Sequence, residues 1–379
     1  MDLRNLLQPV ILAAEAAGLA LSAEFARPGG PRGHVSHADV DDEIEVVLRK
    51  QLLELLPARW MGEETGIDAG AGGPYCWLVD PHDGTAAFLA GERGSSVSIA
   101  LLCDGVPVLG VVHAPLSPDR GSDTIAWVEG LDHLLRNGAR VAPGLSDARL
   151  SKGAIVFVSQ AAPEWPVGNA RAVSPARFVA LPSIAYRLAR VAAGDGVAAV
   201  SLNAPCGWDY AAGHALIRGA GGVLLDEAGR EVTYSSDGSS NTVLCFGGAP
   251  QAARELAGRK WGGVREGKGI ARRLVLKWPR SCSGMALDRA VGCLLGQVIG
   301  DSLGSLVEFR SKRDIAREYP GGVRELADGG TWNTIAGQPR KVPGQEVLPA
   351  AAMDGFTAAR DVSPGSRLPL RAVNASIAT

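Results

Sequence analysis

Four acidic segments contain the residues best suited to chemistry in this sequence. They are Asp39, the pair Glu63 and Glu64, the run Asp80-Pro81-His82-Asp83-Gly84-Thr85, and Asp209. Each has an ordinary structural explanation, since paired Glu residues are often surface charge and Asp is common in turns and at helix starts. Taken together, however, they offer the oxygen ligands that Mg²⁺ prefers, and one carboxylate could bridge two cations.

The run from Asp80 to Thr85 follows a short apolar segment, Tyr75 to Val79, that predicts a buried strand. Two Asp residues at the end of such a strand can return to the same side, while the turn between them aims a backbone carbonyl at a cation. Pro81 restricts the local backbone and Gly84 permits a sharp exit. So many carboxylates in one place would repel each other and become protonated unless cations compensate them.

Three segments resemble the signature blocks of the inositol monophosphatase family, in the family's order and at its spacing. They are GEETG (62–66), WLVDPHDGTAAF (77–88) and WDYAAGHALIRGAGG (208–222), and the resemblance covers roughly residues 1–260. It implies an α+β fold, a layered αβαβα sandwich of the inositol monophosphatase and fructose-1,6-bisphosphatase type. It also implies a magnesium-dependent phosphoric monoester hydrolase that uses two or three Mg²⁺ ions and direct in-line attack by metal-activated water.

The resemblance also implies roles for individual residues. Glu63, Asp80 and the main-chain carbonyl of His82 would bind the first Mg²⁺, and Asp80, Asp83 and Asp209 would bind the second. Asp39 and Thr85 match the pair that orients and helps to deprotonate water, and Glu64 is a neighbouring acid. The N–H groups of Gly84 and Thr85 would bind the substrate phosphate, and the His82 imidazole is expected to face solvent.

The substrate follows less directly from the resemblance. Ser183 and Arg187 occupy the place of the family's substrate-contacting helix start, and Arg187 lies near a basic residue that meets a second phosphate in nucleotidase-like relatives. The alternative for Arg187 is an exposed helix face. Inositol-preferring members carry an acidic residue about seven positions before the WD aspartate, whereas this chain has Ser201-Leu202-Asn203. An inositol phosphate, a sugar phosphate and a 3′-phosphonucleotide all remain open.

The elements around these residues mix helices with strands. Residues 2–27 and 41–56 show helical periodicity, and so do 184–193 and 210–218. Strands are predicted at 95–103 and 106–113 on either side of Asp104-Gly105, a dipeptide that favours a tight hairpin. Further strands are predicted at 155–158, 197–200 and 223–225. This mixture, with a hairpin, predicts an α+β layered domain.

Composition and charge limit the partners and the cellular compartment that we expect for this protein. The 379 residues carry a net charge of −2, which gives no reason to expect a nucleic-acid partner. The six cysteines include no C-x-x-C pair and fit a reducing compartment, so we expect a cytoplasmic protein. Acidic residues interrupt the apolar segment 7–26, which predicts an amphipathic helix and no membrane partner. The resemblance adds a small phosphorylated substrate and a possible homodimer.

The chain changes character after residue 257. Residues 258–284 carry eight Lys or Arg and predict a basic linker. Residues 285–339 resemble the opening of the ADP-ribosylglycohydrolases, on DRAVGCLLGQVIGDSLGSLVEF (288–309) and GGTWNTIAGQP (329–339), but that family's T-D-D-[ST]-E motif does not follow. We therefore expect a truncated helical fragment and a poorly ordered tail at 340–379. The alternatives are an ADP-ribosylglycohydrolase-related hydrolase and a non-catalytic metal-binding protein.

Overall fold

The computed structural model describes residues 2–265, except 71, 143 and 241. The predicted helical fragment (285–339) and tail (340–379) lie outside the described residues, as does the predicted linker beyond Arg265. The beginning of that linker packs on the folded unit. Trp261 is buried against Phe246, with ring centroids 5.5 Å apart, and Arg259 donates a hydrogen bond to the Ala172 carbonyl.

Helices and strands alternate along the described chain. Its α-helices are α1 Arg4–Phe25, α2 Asp39–Leu55, α3 Thr85–Leu89, α4 Pro166–Val173, α5 Ile184–Ala192, α6 Gly207–Gly219 and α7 Pro250–Ala257. Its strands are β1 Gly33–His34, β2 His37–Ala38, β3 Arg59–Gly62, β4 Gly66–Asp68, β5 Tyr75–Asp83, β6 Ser96–Cys103, β7 Val106–Ala114, β8 Asp123–Val128, β9 Leu134–Arg136, β10 Ala139–Val141, β11 Ile155–Ser159, β12 Arg177–Leu181, β13 Ala198–Ser201, β14 Val223–Leu225 and β15 Cys245–Gly248.

The strands form two large sheets and one short ribbon. The eight-stranded sheet has the order β10-β9-β8-β7-β6-β5-β3-β4, and the five-stranded sheet has the order β12-β11-β13-β15-β14. Strands β1 and β2 pair only with each other. In the larger sheet β5 lies parallel to β3 and antiparallel to β6, so residues that follow β3 and β5 meet at the same edge.

The helices and sheets form five layers that pack together through three apolar cores. One core joins α1 and α2 to one face of the eight-stranded sheet, the second places α5 and α6 between the two sheets, and the third packs α4 and α7 on the outer face of the smaller sheet. Alternate residues of β5 point into different cores, Trp77 and Val79 into the first, Cys76 and Leu78 into the second. This arrangement confirms the predicted αβαβα sandwich.

Helix α1 has the length and composition of a helix that could cross a membrane. Half of its most apolar window is buried within the protein, where the helix packs against α2 and strands β6 to β8. Those contacts are typical of a helix in a protein core. Such helices can have the same length and hydropathy as a helix that crosses a membrane.

Several predicted boundaries differ from the structure by a few residues, and two of these differences have a clear local reason. Helix α2 begins at Asp39 rather than Asp41, because the Asp41 carboxylate accepts a hydrogen bond from the Ala38 N–H at 3.1 Å and so satisfies the first turn. Strand β5 continues to Asp83 rather than ending at Val79, because it keeps pairing with β6 across a register shift. The predicted hairpin at Asp104-Gly105 is confirmed, with both residues at positive φ.

Candidate active site

A β-bulge at the end of β5 presents two carboxylates to the same cavity. Asp80 pairs with Ser98 and Asp83 with Ser96, and the register shifts between them. Two residues separate these Asp residues in the chain, so regular alternation would send their side chains to opposite faces. The extra residue of the bulge restores a common side. Gly84 then adopts a left-handed φ of 101° and begins the turn into α3, which favours glycine there.

Two other elements bring further carboxylates to the cavity. Glu63 follows β3 and is held there by its N–H, which donates to the Val79 carbonyl at 3.2 Å. Asp209 lies in the first turn of α6, where its Oδ2 accepts from the Cys206 N–H at 2.8 Å. The cavity has a volume of about 240 Å³ and is lined by Ser36, Glu63, Asp80, His82, Asp83, Gly84, Thr85, Ala86, Ala87, Gln160, Pro182 and Asp209.

The four carboxylates of this cavity oppose one another's ionisation. Burial, together with the charges of Glu63, Asp83 and Asp209, raises the pKa of Asp80 well above its usual value. Burial also raises the pKa of Asp83, against hydrogen bonds from Ser183 and Ala185 that lower it. Burial and the charges of Asp83 and Glu63 raise the pKa of Asp209. The Glu63 side chain is exposed at the cavity, yet desolvation and the charges of Glu64 and Asp83 outweigh a hydrogen bond from Asp80 and raise its pKa to about 7.

This donor set fits a hard divalent cation. The ligand atoms available are carboxylate oxygens and the His82 carbonyl, and no Lys or Arg is found among the described residues that line the cavity. Oxygen ligands without nitrogen or sulfur are the set that Mg²⁺ prefers. A bound cation would offset the repulsion that helps to raise the pKa values of Glu63, Asp80 and Asp209.

Asp83 is held in position by the start of α5. Ser183 caps that helix by accepting a hydrogen bond from the Tyr186 N–H, and its hydroxyl lies 2.6 Å from Asp83 Oδ2. The Ala185 N–H donates to the same oxygen at 2.7 Å. Ser183 is fully buried and does not line the cavity. Its contacts here are therefore with Asp83, and its predicted contact with substrate stays a prediction.

Arg187 is buried rather than exposed, so the alternative of an exposed helix face is wrong. Its guanidinium donates to the main-chain carbonyls of Ser183, Val200 and Pro182. Burial lowers the pKa of Arg187 to about 10, against the attraction of Asp83, which raises it. Arg187 does not line the cavity. In this structure it joins β13 to the start of α5 instead of presenting its charge to a ligand.

The His82 imidazole is also buried, which corrects the expectation that it faces solvent. Its Nδ1 lies 2.7 Å from Asp41 Oδ1 and its Nε2 lies 3.0 Å from Ser95 Oγ. Phe88 packs edge-on against the ring, with centroids 4.3 Å apart. The side chain therefore ties the end of β5 to α2, while the main-chain carbonyl of His82 accepts a hydrogen bond from the Thr85 hydroxyl at 2.7 Å.

Of the four remaining predicted residues, two line the cavity and two do not. The side chain of Thr85 and the backbone of Gly84 are at the cavity wall. Asp39 is exposed at the first turn of α2, and Glu64 is half-buried beside His37; neither lines the cavity. The pairing of Asp39 with Thr85 and the role of Glu64 as a neighbouring acid stay predictions.

A second group of possible ligands lies beside the cavity. Ligand atoms of His37, Asp41 and Glu64 all lie within 4.8 Å of one another. The nearby carboxylates of Glu64, Asp42 and Asp41 raise the pKa of His37 even though burial, the largest single influence, lowers it. These contacts favour an ion pair between His37 and Glu64, whose Nδ1 and Oε2 are 3.3 Å apart.

Sequence reasoning missed several residues of this region. Ser36 and Gln160 line the cavity, and Asp41 contacts His82. Glu45 is buried and holds the loop after β3 by accepting from the N–H groups of Glu64 and Thr65. Asp41 and Glu45 lie on the same helix face as the apolar residues of α2. An acid at a core-facing position was a signal that it has a buried partner.

Fold and cavity together define a class of protein, a five-layer αβαβα sandwich with a carboxylate-rich cavity at the ends of two neighbouring strands. The chain belongs to the inositol monophosphatase family, whose family model matches residues 2–245. The inositol-1-monophosphatase of Rhizobium meliloti (strain 1021) is 34% identical over 248 residues, which cover 59% of this chain and 86% of that protein. The Nus factor SuhB of Xylella fastidiosa is 28% identical over 228 residues, 58% of this chain and 79% of that protein.

Solved structures show the same fold. An inositol monophosphatase from Thermotoga maritima superposes with a TM-score of 0.55 and 24% identity, covering 68% of this chain and 96% of that one. A second family model, ADP-ribosylglycohydrolase, matches residues 283–357. The match supports a fusion of two families in one chain, and these residues lie outside the described part of the structure.

Proposed function

We propose that this protein hydrolyses a small phosphomonoester in a Mg²⁺-dependent reaction. One observation carries the proposal: four carboxylates from β5, from the loop after β3 and from α6 converge on one cavity that also contains Thr85. Membership of the inositol monophosphatase family, and the inositol-1-monophosphatase name of a 34% identical relative, support phosphate ester hydrolysis.

The acidic residues would hold the cations in this reaction. Glu63, Asp80, Asp83 and Asp209 would bind them together with the His82 carbonyl. Mg²⁺, when bound, lowers the pKa of water and neutralises charge on the phosphoryl group and the departing alkoxide. The number of ions, two or three, stays part of the proposal.

The chain's own residues would orient the reactants. The Thr85 hydroxyl donates to the His82 carbonyl at 2.7 Å, so its oxygen lone pairs are available to accept a hydrogen bond from a water molecule. Ser183 and the Ala185 N–H fix Asp83, which prevents this ligand from rotating away. Positioning of this kind contributes to rate because the reactants no longer have to find the reactive geometry by diffusion.

Release of inorganic phosphate from a panel of esters tests the proposal. The panel would contain inositol 1-phosphate, fructose 1,6-bisphosphate and adenosine 3′,5′-bisphosphate, assayed with and without Mg²⁺. We expect Asp80→Asn to abolish release, whereas Asp132→Asn, the same change at an exposed carboxylate, should leave it unchanged. Release without Mg²⁺, or full activity of Asp80→Asn, would contradict the assignment.

The same assay addresses the non-catalytic alternative. A protein that binds Mg²⁺ in calorimetry but releases phosphate from none of the esters would favour a metal-binding protein without phosphatase activity. The ADP-ribosylglycohydrolase-related alternative has less support, because its family model matches only residues 283–357 and the phosphatase family model matches 2–245.

A further inference from the structure

The cavity wall includes a carboxamide from the second sheet. Gln160 directly follows β11 of the five-stranded sheet, whereas Glu63, Asp80 and Asp83 come from the eight-stranded sheet. Gln160 therefore reaches the wall of this cavity from a different sheet than these three carboxylates. Ser36, Gly84, Thr85, Ala86, Ala87 and Pro182 are further uncharged residues of the lining.

The side-chain oxygen of Gln160 lacks a hydrogen-bond partner. Gln160 Oε1 is one of three buried side-chain polar atoms without a partner in the described part of the chain, and the only one of the three whose residue lines this cavity. A buried acceptor is costly when it is unpaired, so an unpaired one on a residue of the cavity wall indicates a donor that arrives with the ligand. The terminal torsion of Gln is soft, which lets the carboxamide turn toward such a donor.

The described cavity wall offers no cationic side chain that could bind a second phosphate of a substrate. Arg187, the residue predicted to meet a second phosphate, donates instead to three main-chain carbonyls. The described cavity lining contains no Arg and no Lys. A second phosphate would therefore gain no counter-charge from this wall, whereas an uncharged hydroxyl group would find an acceptor in Gln160.

We propose that Gln160 is a specificity-determining residue, which accepts a hydrogen bond from a hydroxyl group on the alcohol part of the substrate. The ligand class is a monophosphate ester of an uncharged polyol. The inference rests on the proposed function and adds to it the residue that recognises the leaving group. Gln160 contacts the alcohol, and the carboxylates opposite bind the cations that meet the phosphate.

A matched pair of esters isolates this contact. Inositol 1-phosphate and cyclohexyl phosphate share a six-membered ring and a phosphate, but only the first carries ring hydroxyls. The quantity measured is the ratio of kcat/KM for the two esters, so any general loss of folding or cation binding cancels. For Gln160→Leu, which keeps the size of the side chain and removes its hydrogen bonding, we expect the ratio to fall by about tenfold, as for the loss of one hydrogen bond.

A second, conservative variant tests whether another hydrogen-bond acceptor at this position preserves the ratio of kcat/KM values. Gln160→Glu keeps an acceptor at the same position, and its added charge affects both esters through their common phosphate. We therefore expect Gln160→Glu to keep a ratio close to that of the wild-type protein. An unchanged ratio in Gln160→Leu, or the same loss in Gln160→Glu, would overturn the proposal.

Failure of the proposed function can be told apart from failure of this inference. If the wild-type protein hydrolyses neither ester, both remain intact in a calorimeter cell and their binding in the presence of Mg²⁺ can be compared directly. Preferential binding of inositol 1-phosphate that Gln160→Leu removes would uphold the role of Gln160 in a protein without phosphatase activity. Equal binding of the two esters, or no binding of either, would refute it.

Discussion

Asp41 Oδ1 and His82 Nδ1 lie 2.7 Å apart, fully buried, and join helix α2 to the strand end that carries Asp80 and Asp83. Because the Asp41 carboxylate only accepts hydrogen bonds, His82 Nδ1 carries the proton. This contact fixes the imidazole and, with it, the peptide whose carbonyl accepts a hydrogen bond from Thr85. Asp41 also accepts from the Ala38 N–H and so holds the first turn of α2.

Asp41→Ala should therefore impair both stability and cation binding. Removal of one partner from a buried, hydrogen-bonded pair costs about 3 kcal/mol of unfolding free energy, because the other partner is left unpaired. Loss of a group that orients a ligand typically lowers metal affinity or activity by about tenfold or more. Urea unfolding and Mg²⁺ titration calorimetry measure the two effects. Asp42→Ala, at the adjacent exposed position, is the control and should change neither stability nor Mg²⁺ affinity. Normal Mg²⁺ affinity in Asp41→Ala would refute the role of Asp41 in positioning His82.

Bound cations should stabilise the wild-type protein through the carboxylate cluster. A ligand that binds only the folded state raises the free energy of unfolding by mass action, by about 2.7 kcal/mol at a concentration one hundred times its Kd. We expect Mg²⁺ to raise the Tm of the wild-type protein and to have a much smaller effect on Asp80→Asn. Without divalent cations the order should reverse, with Asp80→Asn melting above the wild type, because the amide removes a buried charge that its neighbours repel. A Tm for Asp80→Asn below that of the wild type without Mg²⁺ would contradict this interpretation.

An ion-pair network between β8, β9 and the end of α5 should stabilise the fold in a pH-dependent way. Arg136 lies 2.6 Å from Asp123 and 2.9 Å from Asp195. Burial raises the pKa of each of these carboxyls, but hydrogen bonds and the charge of Arg136 outweigh it, so both pKa values are lowered. A carboxyl with a lowered pKa in the folded state stabilises the protein above its usual pKa, near 4, and loses that contribution as the pH falls through the folded-state value.

Arg136→Met should therefore destabilise the protein strongly at neutral pH and weakly in acid. At pH 7 we expect a loss of up to about 3 kcal/mol, because two partly or fully buried carboxylates each lose one positive partner. Arg120 stays near both carboxylates, and Arg190 stays beside Asp195. The difference from the wild type should shrink below about pH 4, where these carboxyls become protonated. Urea unfolding across this pH range measures it. Arg140→Met removes an exposed pair with Asp132 and should have little effect at any pH; a pH-independent loss in Arg136→Met would point to lost packing instead.

The glycine before the Glu63–Glu64 pair should not tolerate a side chain. A Cβ at Gly62 would lie 1.9 Å from Glu45 Oε1, the oxygen that accepts hydrogen bonds from the Thr65 N–H and hydroxyl. Gly62→Ala must displace Glu45 and the loop that carries Glu63, so we expect a loss of about 2 kcal/mol in stability and reduced phosphate release. Gly121→Ala, at a site where an added Cβ would meet only open space, is the control. Wild-type stability in Gly62→Ala would show that the loop adapts.

Much of the fold could be predicted because its signals are local. The alternation of β5 between two cores appears in the sequence as a continuous apolar run, and Asp104-Gly105 specifies its hairpin through positive φ at both residues. Short strands such as β9 and β10 were missed because three-residue segments carry too little periodicity to be recognised.

Glu63, Asp80, Asp83 and Asp209 could be assigned to one cavity from their motifs, because the order and composition of those motifs are characteristic. The contacts of the neighbouring groups, in contrast, depend on how the layers pack. Arg187 turns to backbone carbonyls, the His82 imidazole is buried against Asp41, and Gln160 reaches the cavity from the other sheet. The physical reason is that periodicity along one element shows which face is buried, whereas a hydrogen-bond partner from a distant element is selected only when the layers pack.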